Sequence, residues 1–285
     1  MSRGTAAFLD TSIQIARVVH SPETKKRIAA RVEGFDFSIT SDVVRQEFKR
    51  RLLKEAQYLL NQLDKRQSYV KVLRHVIDVL PPQQGRKRNI CLELLGTILE
   101  DASDDELTER SRRYLRTLLR VGLGDFDATV DHVVRDAECA CAKYPVEERI
   151  PYKRYEFGSD KCSRTGDTCG IMRFLTARRD DAERILATLR QIPKDKKSDE
   201  LCRGQEFLEA VLADPSTAKS MEPCHHVGDI LIALESAGVP TFYTLHGTES
   251  QQLCRALGQN LIVRPKNPKH EDVFCLHAAP EWPGF

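Results

Sequence analysis

The sequence predicts a three-layer α/β/α protein, in which helices cover both faces of a central parallel sheet and a largely helical insertion interrupts it. Two observations predict the sheet. Short apolar runs alternate with amphipathic helical patterns over about the first sixty residues, and this alternation returns between 227 and 263. A third observation defines the insertion, because the intervening segment has a mostly helical pattern and is heavily charged. Strands that alternate with helices form parallel sheets that are buried on both faces.

The N-terminal part of the sheet is predicted from two strands, each followed by a helix. Residues 6–10 form a short apolar run that ends in an acid, and 12–20 then follow a helical period. The aromatic and β-branched residues of 35–40 predict the second strand. Ser41 or Asp42 then caps a long helix. Its apolar stripe consists of Val44, Phe48, Leu52, Ala56 and Leu59.

The C-terminal part repeats the same order of elements. Apolar residues within 227–237 recur at the helical period, and Gly238 is a suitable residue to end that helix. A short β-rich run at 241–245 predicts a strand. A further helix is expected around 253–257, and the apolar run 260–263 predicts the last strand.

These patterns divide the 285 residues into a discontinuous sheet domain and an insertion. The sheet domain is expected to combine 1–64 with 222–265. The insertion, 65–221, is expected to be helical and contains most of the cysteines. Residues 266–285 are expected to form a C-terminal tail.

Composition limits the classes of function. The chain has 44 basic and 42 acidic side chains, and this net charge of +2 neither requires nor excludes a nucleic-acid partner. We expect a cytoplasmic protein with no membrane partner, because there is no secretory signal and the apolar runs are far shorter than the ~20 residues that span a bilayer. The nine cysteines are then expected to be reduced thiols. A nucleotide cofactor is not expected, because the sequence has no Walker or Rossmann glycine motif.

Four acidic residues are predicted to gather at one edge of the sheet. Asp10 ends the first strand, and Glu47 lies near the start of the helix that follows the second strand. Asp229 begins the 227–237 helix, and Glu249 closely follows the next strand. Ligands of parallel α/β sheets bind outside the carboxyl ends of the strands. Clustered carboxylates repel one another unless a cation is present, and oxygen-only ligands suit Mg²⁺ or Mn²⁺.

Each acid also has an explanation without a metal. Asp10 precedes Thr-Ser and is a good helix N-cap. Glu47 could pair with Arg51 one helical turn later. Asp229 and Glu249 both suit the first turn of a helix, where the macrodipole favours acids. These explanations account for the residues one at a time but give no reason why all four should fall at the same edge.

Three stretches, taken in order, resemble the motifs of the PIN-domain nuclease family. They are AFLDTSIQIARVV, ITSDVVRQEF and HVGDILIALESAGVPTFYTLHGTES. The family has an Asp followed by Thr or Ser at the end of the first strand and a Glu about forty residues later. A second Asp begins a later helix, and a polar segment ending in an acid follows the next strand. The resemblance covers about 5–62 and 224–264.

The resemblance implies a PIN-like endonuclease that hydrolyses phosphodiester bonds, with RNA favoured over DNA. It implies that Asp10, Glu47 and Asp229 hold Mg²⁺ or Mn²⁺, and that Glu249 completes the site directly or through water. It also implies supporting polar groups, which are Thr11, Ser12, Thr244 and His246. Nucleic acid would be the main partner, and a homodimer or an inhibitory protein partner is also typical of such proteins.

Two features depart from the family pattern. His246 stands where the last motif commonly has Asn or Asp, and histidine is a poorer ligand for Mg²⁺ than for Mn²⁺. The insertion of about 150 residues separates the second and third motifs. An alternative function is therefore a PIN-like scaffold with weak or no catalysis that binds nucleic acid or protein.

The cysteines form a second group of candidate ligands. Four thiolates within the insertion could hold a structural zinc ion: Cys139, Cys141, Cys162 and Cys169. Their spacing differs from that of common zinc knuckles, and free cysteine is often a small buried apolar residue. Both interpretations remain open, and a zinc-organised interaction module is a third functional hypothesis.

Basic runs form the third group. Arg86, Lys87 and Arg88 lie in one run of the insertion, and Lys153 and Arg154 lie in another that also contains aromatic residues. Such runs could follow a phosphate backbone while an aromatic ring stacks on a base. They could equally form a solvated helix face, because acidic residues lie between the basic runs.

Overall fold

The computed structural model describes residues 5–81, 85–99, 102–137, 169–214 and 227–263. Within these ranges the chain forms a five-stranded sheet with helices packed against it, which confirms the α/β class. No helix in the described ranges is both long enough and apolar enough to cross a bilayer.

All neighbouring strands of the sheet are parallel, as the alternation of strands and helices predicts. The strands are β1 (Ala6–Leu9), β2 (Phe37–Ser41), β3 (His132–Val134), β4 (Thr241–Thr244) and β5 (Asn260–Val263). Their order across the sheet is β3-β2-β1-β4-β5. β1 is therefore the central strand, and it pairs with β2 on one side and with β4 on the other.

Helices make up most of the remaining described residues. They are α1 (Thr11–Val19), α2 (Pro22–Val32), α3 (Asp42–Phe48), α4 (Lys54–Arg66), α5 (Tyr69–Asp78), α6 (Gly85–Gly96), α7 (Asp104–Ala128), α8 (Gly170–Ala177), α9 (Arg179–Gln191), α10 (Asp199–Ala213), α11 (Gly228–Ser236) and α12 (Gly247–Leu257). A π-helical turn, Lys49–Leu53, joins α3 to α4.

Different helices cover the two faces of the sheet, because successive side chains of a strand point to opposite faces. On one face Leu9 and Tyr243 share a core with Ile13 of α1 and Ile28 of α2. On the other face Phe8 belongs to a larger core that includes residues of α3 to α7. Its ring stacks on that of Phe242, with the ring centroids 5.5 Å apart. The sheet thus forms the middle layer of the fold.

The helix after β2 is one continuous helical segment from α3 through the π-helical turn to α4. Ser41 caps its N-terminus, and its hydroxyl accepts a hydrogen bond from the Val44 backbone N–H at 3.2 Å. The predicted apolar stripe is fully buried along this segment. The π-helical turn begins two residues after Glu47, so the irregular part of the helix lies beside a predicted site residue. π-Helical turns inside α-helices are rare and often occur at functional sites.

The sequence patterns do not predict two of these elements. β3 lies inside the expected helical insertion and pairs with β2 through Ile39 and His132. It has only three residues, which are too few to show a strand period. α2 follows α1 almost directly, and Ile28 is its one fully buried residue. With so little apolar surface to bury, α2 shows no apolar stripe in the sequence.

The intervening segment shares its hydrophobic cores with both parts of the sheet domain. Leu208 of α10 and Leu186 of α9 belong to the same buried cluster as Leu231 of α11 and Leu257 of α12. On the other side, α5, α6 and α7 share a core with α4. The helices α5 to α7 therefore share a core with the sheet itself, whereas α8 to α10 pack on α11 and α12.

Candidate functional site

The order of the strands indicates where a ligand would bind. The chain leaves β1 toward β2 on one side, and β4 returns to pair with β1 on the other side. A crevice forms at the carboxyl ends of strands where the order reverses in this way, and ligands of open α/β sheets bind there. Asp10 directly follows β1, and Thr244 is the last residue of β4.

Asp10 caps α1 and also ties β1 to β4. Its Oδ2 accepts the Ser12 hydroxyl at 2.7 Å and the Ser12 backbone N–H at 3.4 Å. The Thr244 hydroxyl donates to the same oxygen at 2.7 Å. The Ser12 hydroxyl then accepts the Leu245 N–H at 2.9 Å. All the bonds to Asp10 use Oδ2, so Oδ1 takes no part in this network.

Glu47 is held from two sides. Thr11 donates its hydroxyl to Oε2 at 2.8 Å, and Arg51 donates from Nη2 to Oε1 at 3.1 Å. The side chain of Glu47 is only 15% exposed, so it is not a solvated helix acid. A Cβ at Gly228 would lie 2.9 Å from Glu47 Oε1. The glycine therefore lets the start of α11 approach this carboxylate.

Three further acids lie close to one another, near Asp10 and Glu47. Asp229, Glu249 and Glu200 each lie in the first turn of a helix, and one carboxylate oxygen of each lies within 4.8 Å of the others. Glu200 comes from α10 and was not among the residues predicted from the sequence. The one feature of the sequence that marks Glu200 is its position in the first turn of a helix, two residues after the N-cap Ser198. Acids are common at that position without any functional role. Arg86 Nη2 lies 3.7 Å from Glu200 Oε2.

Burial and the neighbouring acids raise the pKa of Asp229 to about 7. Burial is the largest cause, and the charges of Glu47, Asp10 and Glu249 raise it further, whereas Arg51 lowers it. Burial lowers the pKa of Arg51, but nearby carboxylates, Glu47 first, outweigh this effect and hold it above its ordinary value. The site is therefore rich in negative charge, and the charge of Arg51 partly balances it.

Three of these carboxylates and the arginines Arg51 and Arg86 border an open cleft. Its lining includes Asp10, Arg51, Arg86, Asp229 and Glu249, with apolar residues of α11, α12 and β4 behind them. An oxygen-only set of donors fits a hard divalent cation. The closest trio is Glu200, Asp229 and Glu249. No trio that close in the described ranges includes Asp10 or Glu47, whose charges nevertheless act on Asp229.

The predicted supporting residues come together around Thr244. This residue is fully buried, and its hydroxyl accepts the backbone N–H of His246 at 3.0 Å while donating to Asp10. His246 is exposed and lines the cleft. Thr11 and Ser12 orient Glu47 and Asp10, as described above. All eight predicted catalytic and supporting residues thus lie along this edge of the sheet.

The predicted basic residues divide into different environments. Arg86 lines the cleft, and its side chain is 59% exposed. Lys87 instead lies over the ring of Tyr58, 3.8 Å from the centroid, and pairs with Glu55 at 3.6 Å. Arg88 is half-buried in the first turn of α6. Lys153 and Arg154 lie outside the described residues.

Three of the four predicted zinc ligands, Cys139, Cys141 and Cys162, lie outside the described residues. Cys169 is described as a half-buried free thiol that directly precedes α8. The other described cysteines are also free thiols: Cys91, Cys202 and Cys254. Burial raises the pKa of Cys91 and of Cys254 to about 12, so both remain protonated at neutral pH.

Comparisons with known proteins give no family for this chain. No protein-family model matches the sequence, no curated protein matches it, and no solved structure matches the fold. Any functional conclusion therefore depends on the chain's own residues and on the resemblance of its three motifs.

Proposed function

We propose that this chain is a metal-dependent nuclease of the PIN-like type that hydrolyses phosphodiester bonds, with RNA favoured as the substrate. One observation carries the proposal. Acidic side chains from five separate helices or helix caps lie in or beside one cleft, at the sheet edge where the strand order reverses. The parallel sheet with helices on both faces agrees with the fold class that the motif resemblance implies.

The donor set supports a divalent cation, Mg²⁺ or Mn²⁺. Glu200, Asp229 and Glu249 offer carboxylate oxygens close to one another, and the pKa of Asp229 is about 7 because burial and the surrounding like charges both raise it. Bringing such acids together is unfavourable unless a cation balances them. When bound, a divalent ion supplies an activated water nucleophile and positive charge opposite the phosphate.

The residues of the chain have separate roles in this proposal. Asp10 is held by Thr244 and Ser12, so its carboxylate keeps one orientation. Glu47 is oriented in the same manner by Thr11 and Arg51. Arg51 and Arg86 border the same cleft, and a guanidinium is well suited to hold phosphate oxygens. The two arginines would position the scissile phosphate between the acids.

The experiment is cleavage of 5′-labelled single-stranded RNA and DNA by the full chain, with Mn²⁺, with Mg²⁺ or with EDTA. Asp10→Asn and Asp229→Asn are expected to lower the metal-dependent rate at least about tenfold. Asp105→Asn is the matched control, because Asp105 is an exposed first-turn acid of α7 outside the cleft. Equal rates in the wild type and in both cleft variants would contradict the proposal.

A second candidate function is a scaffold that binds nucleic acid or protein without turnover. It is favoured by Glu47, because both of its carboxylate oxygens already have partners within the protein. His246 favours it too, since the family commonly has Asn or Asp there. The same experiment separates the two functions. The scaffold predicts RNA binding in EDTA, no cleavage with either metal and no effect of Asp10→Asn on binding.

A further inference from the structure

A second concave surface opens near the end of β3, at the opposite side of the sheet from β5. Arg135, Asp136, Arg173 and Arg178 line it, together with apolar residues of α8. We call this surface the arginine hollow. Its three guanidinium groups and one carboxylate leave it with two positive charges. None of the residues proposed for the nuclease site contributes to it.

Two of its arginines are available to a ligand. Arg178 is held by Asp136 at 3.1 Å and by Asp181 at 3.8 Å, so its charge is balanced within the protein. Arg135 and Arg173 are exposed, and neither forms an ion pair with another residue in the described part of the chain. Their guanidinium groups can therefore bind an anion without first breaking an ion pair there.

The register of the sheet places the arginine hollow on the same edge as the acid-lined cleft. Ile39 of β2 pairs with Phe8 of β1 and with His132 of β3, so these residues lie at one level. Two residues further on, Asp10 and the end of β3 also lie at one level, and Arg135 follows directly. Since neighbouring strands are about 4.8 Å apart, roughly 10 Å of sheet edge separates β1 from β3.

The cleft alone is a poor binding surface for a nucleic acid. The carboxylates in and beside it outnumber its two arginines, and Glu47 and Glu200 partly balance the charges of those arginines. A substrate backbone therefore needs positive charge outside the cleft to be held against it. The arginine hollow supplies that charge beside the carboxyl end of β3, two strands away from β1.

We propose that the arginine hollow binds the phosphate backbone of a single-stranded nucleic acid while the scissile bond lies in the cleft. The inference rests on the proposed function for the identity of the ligand. Planar guanidinium groups donate two parallel hydrogen bonds to a phosphate, so Arg135 and Arg173 can each hold one phosphate group. Contacts of this kind position a strand without reading its sequence.

The test measures the affinity of the full chain for a fluorescein-labelled oligouridylate by anisotropy, in EDTA and at several salt concentrations. The variant is Arg135→Ala with Arg173→Ala. The control is Arg74→Ala with Arg113→Ala, which removes two exposed arginines from α5 and α7 and changes the net charge equally. The hollow variant is expected to bind the oligonucleotide about tenfold or more weakly. The slope of log affinity against log salt concentration is expected to become shallower by about 0.7 for each phosphate that the variant no longer binds. The control is expected to stay within about twofold of the wild type.

Other outcomes overturn the inference. It fails if the hollow variant behaves like the control, or if the wild type shows no salt-dependent binding of the oligonucleotide. It also fails if polyglutamate competes as well as oligouridylate at equal charge, because the surface would then suit an acidic protein. Binding through the hollow without cleavage would refute only the proposed nuclease activity. Cleavage with unchanged affinity in the hollow variant would refute only this inference.

Discussion

Replacing Arg51 with glutamine removes the positive charge that is paired with Glu47 beside the acidic cleft. The Arg51–Glu47 contact is 3.1 Å long, and the two side chains are 26% and 15% exposed. Exposed ion pairs contribute about 0–1 kcal/mol, whereas breaking a buried pair costs about 3–5 kcal/mol. This pair lies between those limits. We therefore expect Arg51→Gln to lower the free energy of unfolding by about 2 kcal/mol at pH 8.

The decrease in stability is expected to depend on pH through Asp229. Its pKa in the folded chain is about 7, against an ordinary value of 3.8, so the folded chain retains a proton that the unfolded chain releases. Stability therefore falls as pH rises toward and through 7. Arg51 opposes this fall, because its charge lowers the pKa of Asp229. Without Arg51 the pKa of Asp229 is higher, so the fall continues to a higher pH and is larger in total. The effect of the substitution is therefore smaller at pH 5 than at pH 8.

The assay is urea unfolding at pH 5 and pH 8, followed by circular dichroism. Arg27→Gln is the control, because Arg27 pairs with Glu23 at the same i,i+4 spacing but Glu23 is 66% exposed. We expect that control to change stability by about 0.5 kcal/mol or less at either pH. The balancing role of Arg51 is refuted if Arg51→Gln matches the control, or if it lowers stability equally at both pH values.

Two further predictions concern the approach of α11 to its neighbours. Gly228→Ala places a Cβ 2.9 Å from Glu47 Oε1. We expect the Glu47 carboxylate to move aside, so that the melting temperature changes little while metal-dependent cleavage falls about 10²-fold. The control is Gly124→Ala, whose added Cβ would have no atom within 4 Å, and it is expected to retain activity. Glu235→Gln removes a buried carboxyl whose pKa burial raises from 4.5 to about 7. The glutamine amide oxygen can still accept the Ala137 N–H. In urea titrations the variant is expected to gain about 1–3 kcal/mol in the free energy of unfolding at pH 8 and nothing at pH 4. The prediction is wrong if the free energy of unfolding of the variant depends on pH in the same way as that of the wild type.

The sequence predicts the central part of the sheet well because local patterns determine it. The apolar run before Asp10 gives β1, and the alternation of strand and helix around it requires parallel neighbours. The helix-cap explanation of Asp10 is confirmed, and the carboxylate oxygen that caps α1 also accepts the Thr244 hydroxyl. The predicted pairing of Glu47 with Arg51 is confirmed too, and Glu47 also lies against the start of α11.

The remaining features depend on tertiary contacts that no local pattern records. Glu200 lies near Asp229 and Glu249 because α10 packs on α9 and α9 packs on α12, and an acid in the first turn of a helix is otherwise ordinary. β3 is a strand because three residues dock on the edge of β2. The π-helical turn at Lys49–Leu53 has no composition that distinguishes it from the α-helix around it.

The pairing of β1 with β4 has a consequence for how the chain folds as it is synthesised. Asp10 and Thr244 are hydrogen-bonded across 234 positions of sequence, so the two sides of the cleft leave the ribosome far apart in time. Until β4 arrives, β1 has one unpaired edge, and unpaired edges are prone to associate with other strands. Closing so long a loop also slows folding. The cleft is therefore expected to be among the last features to form, and shortened chains that end before α11 would lack it entirely.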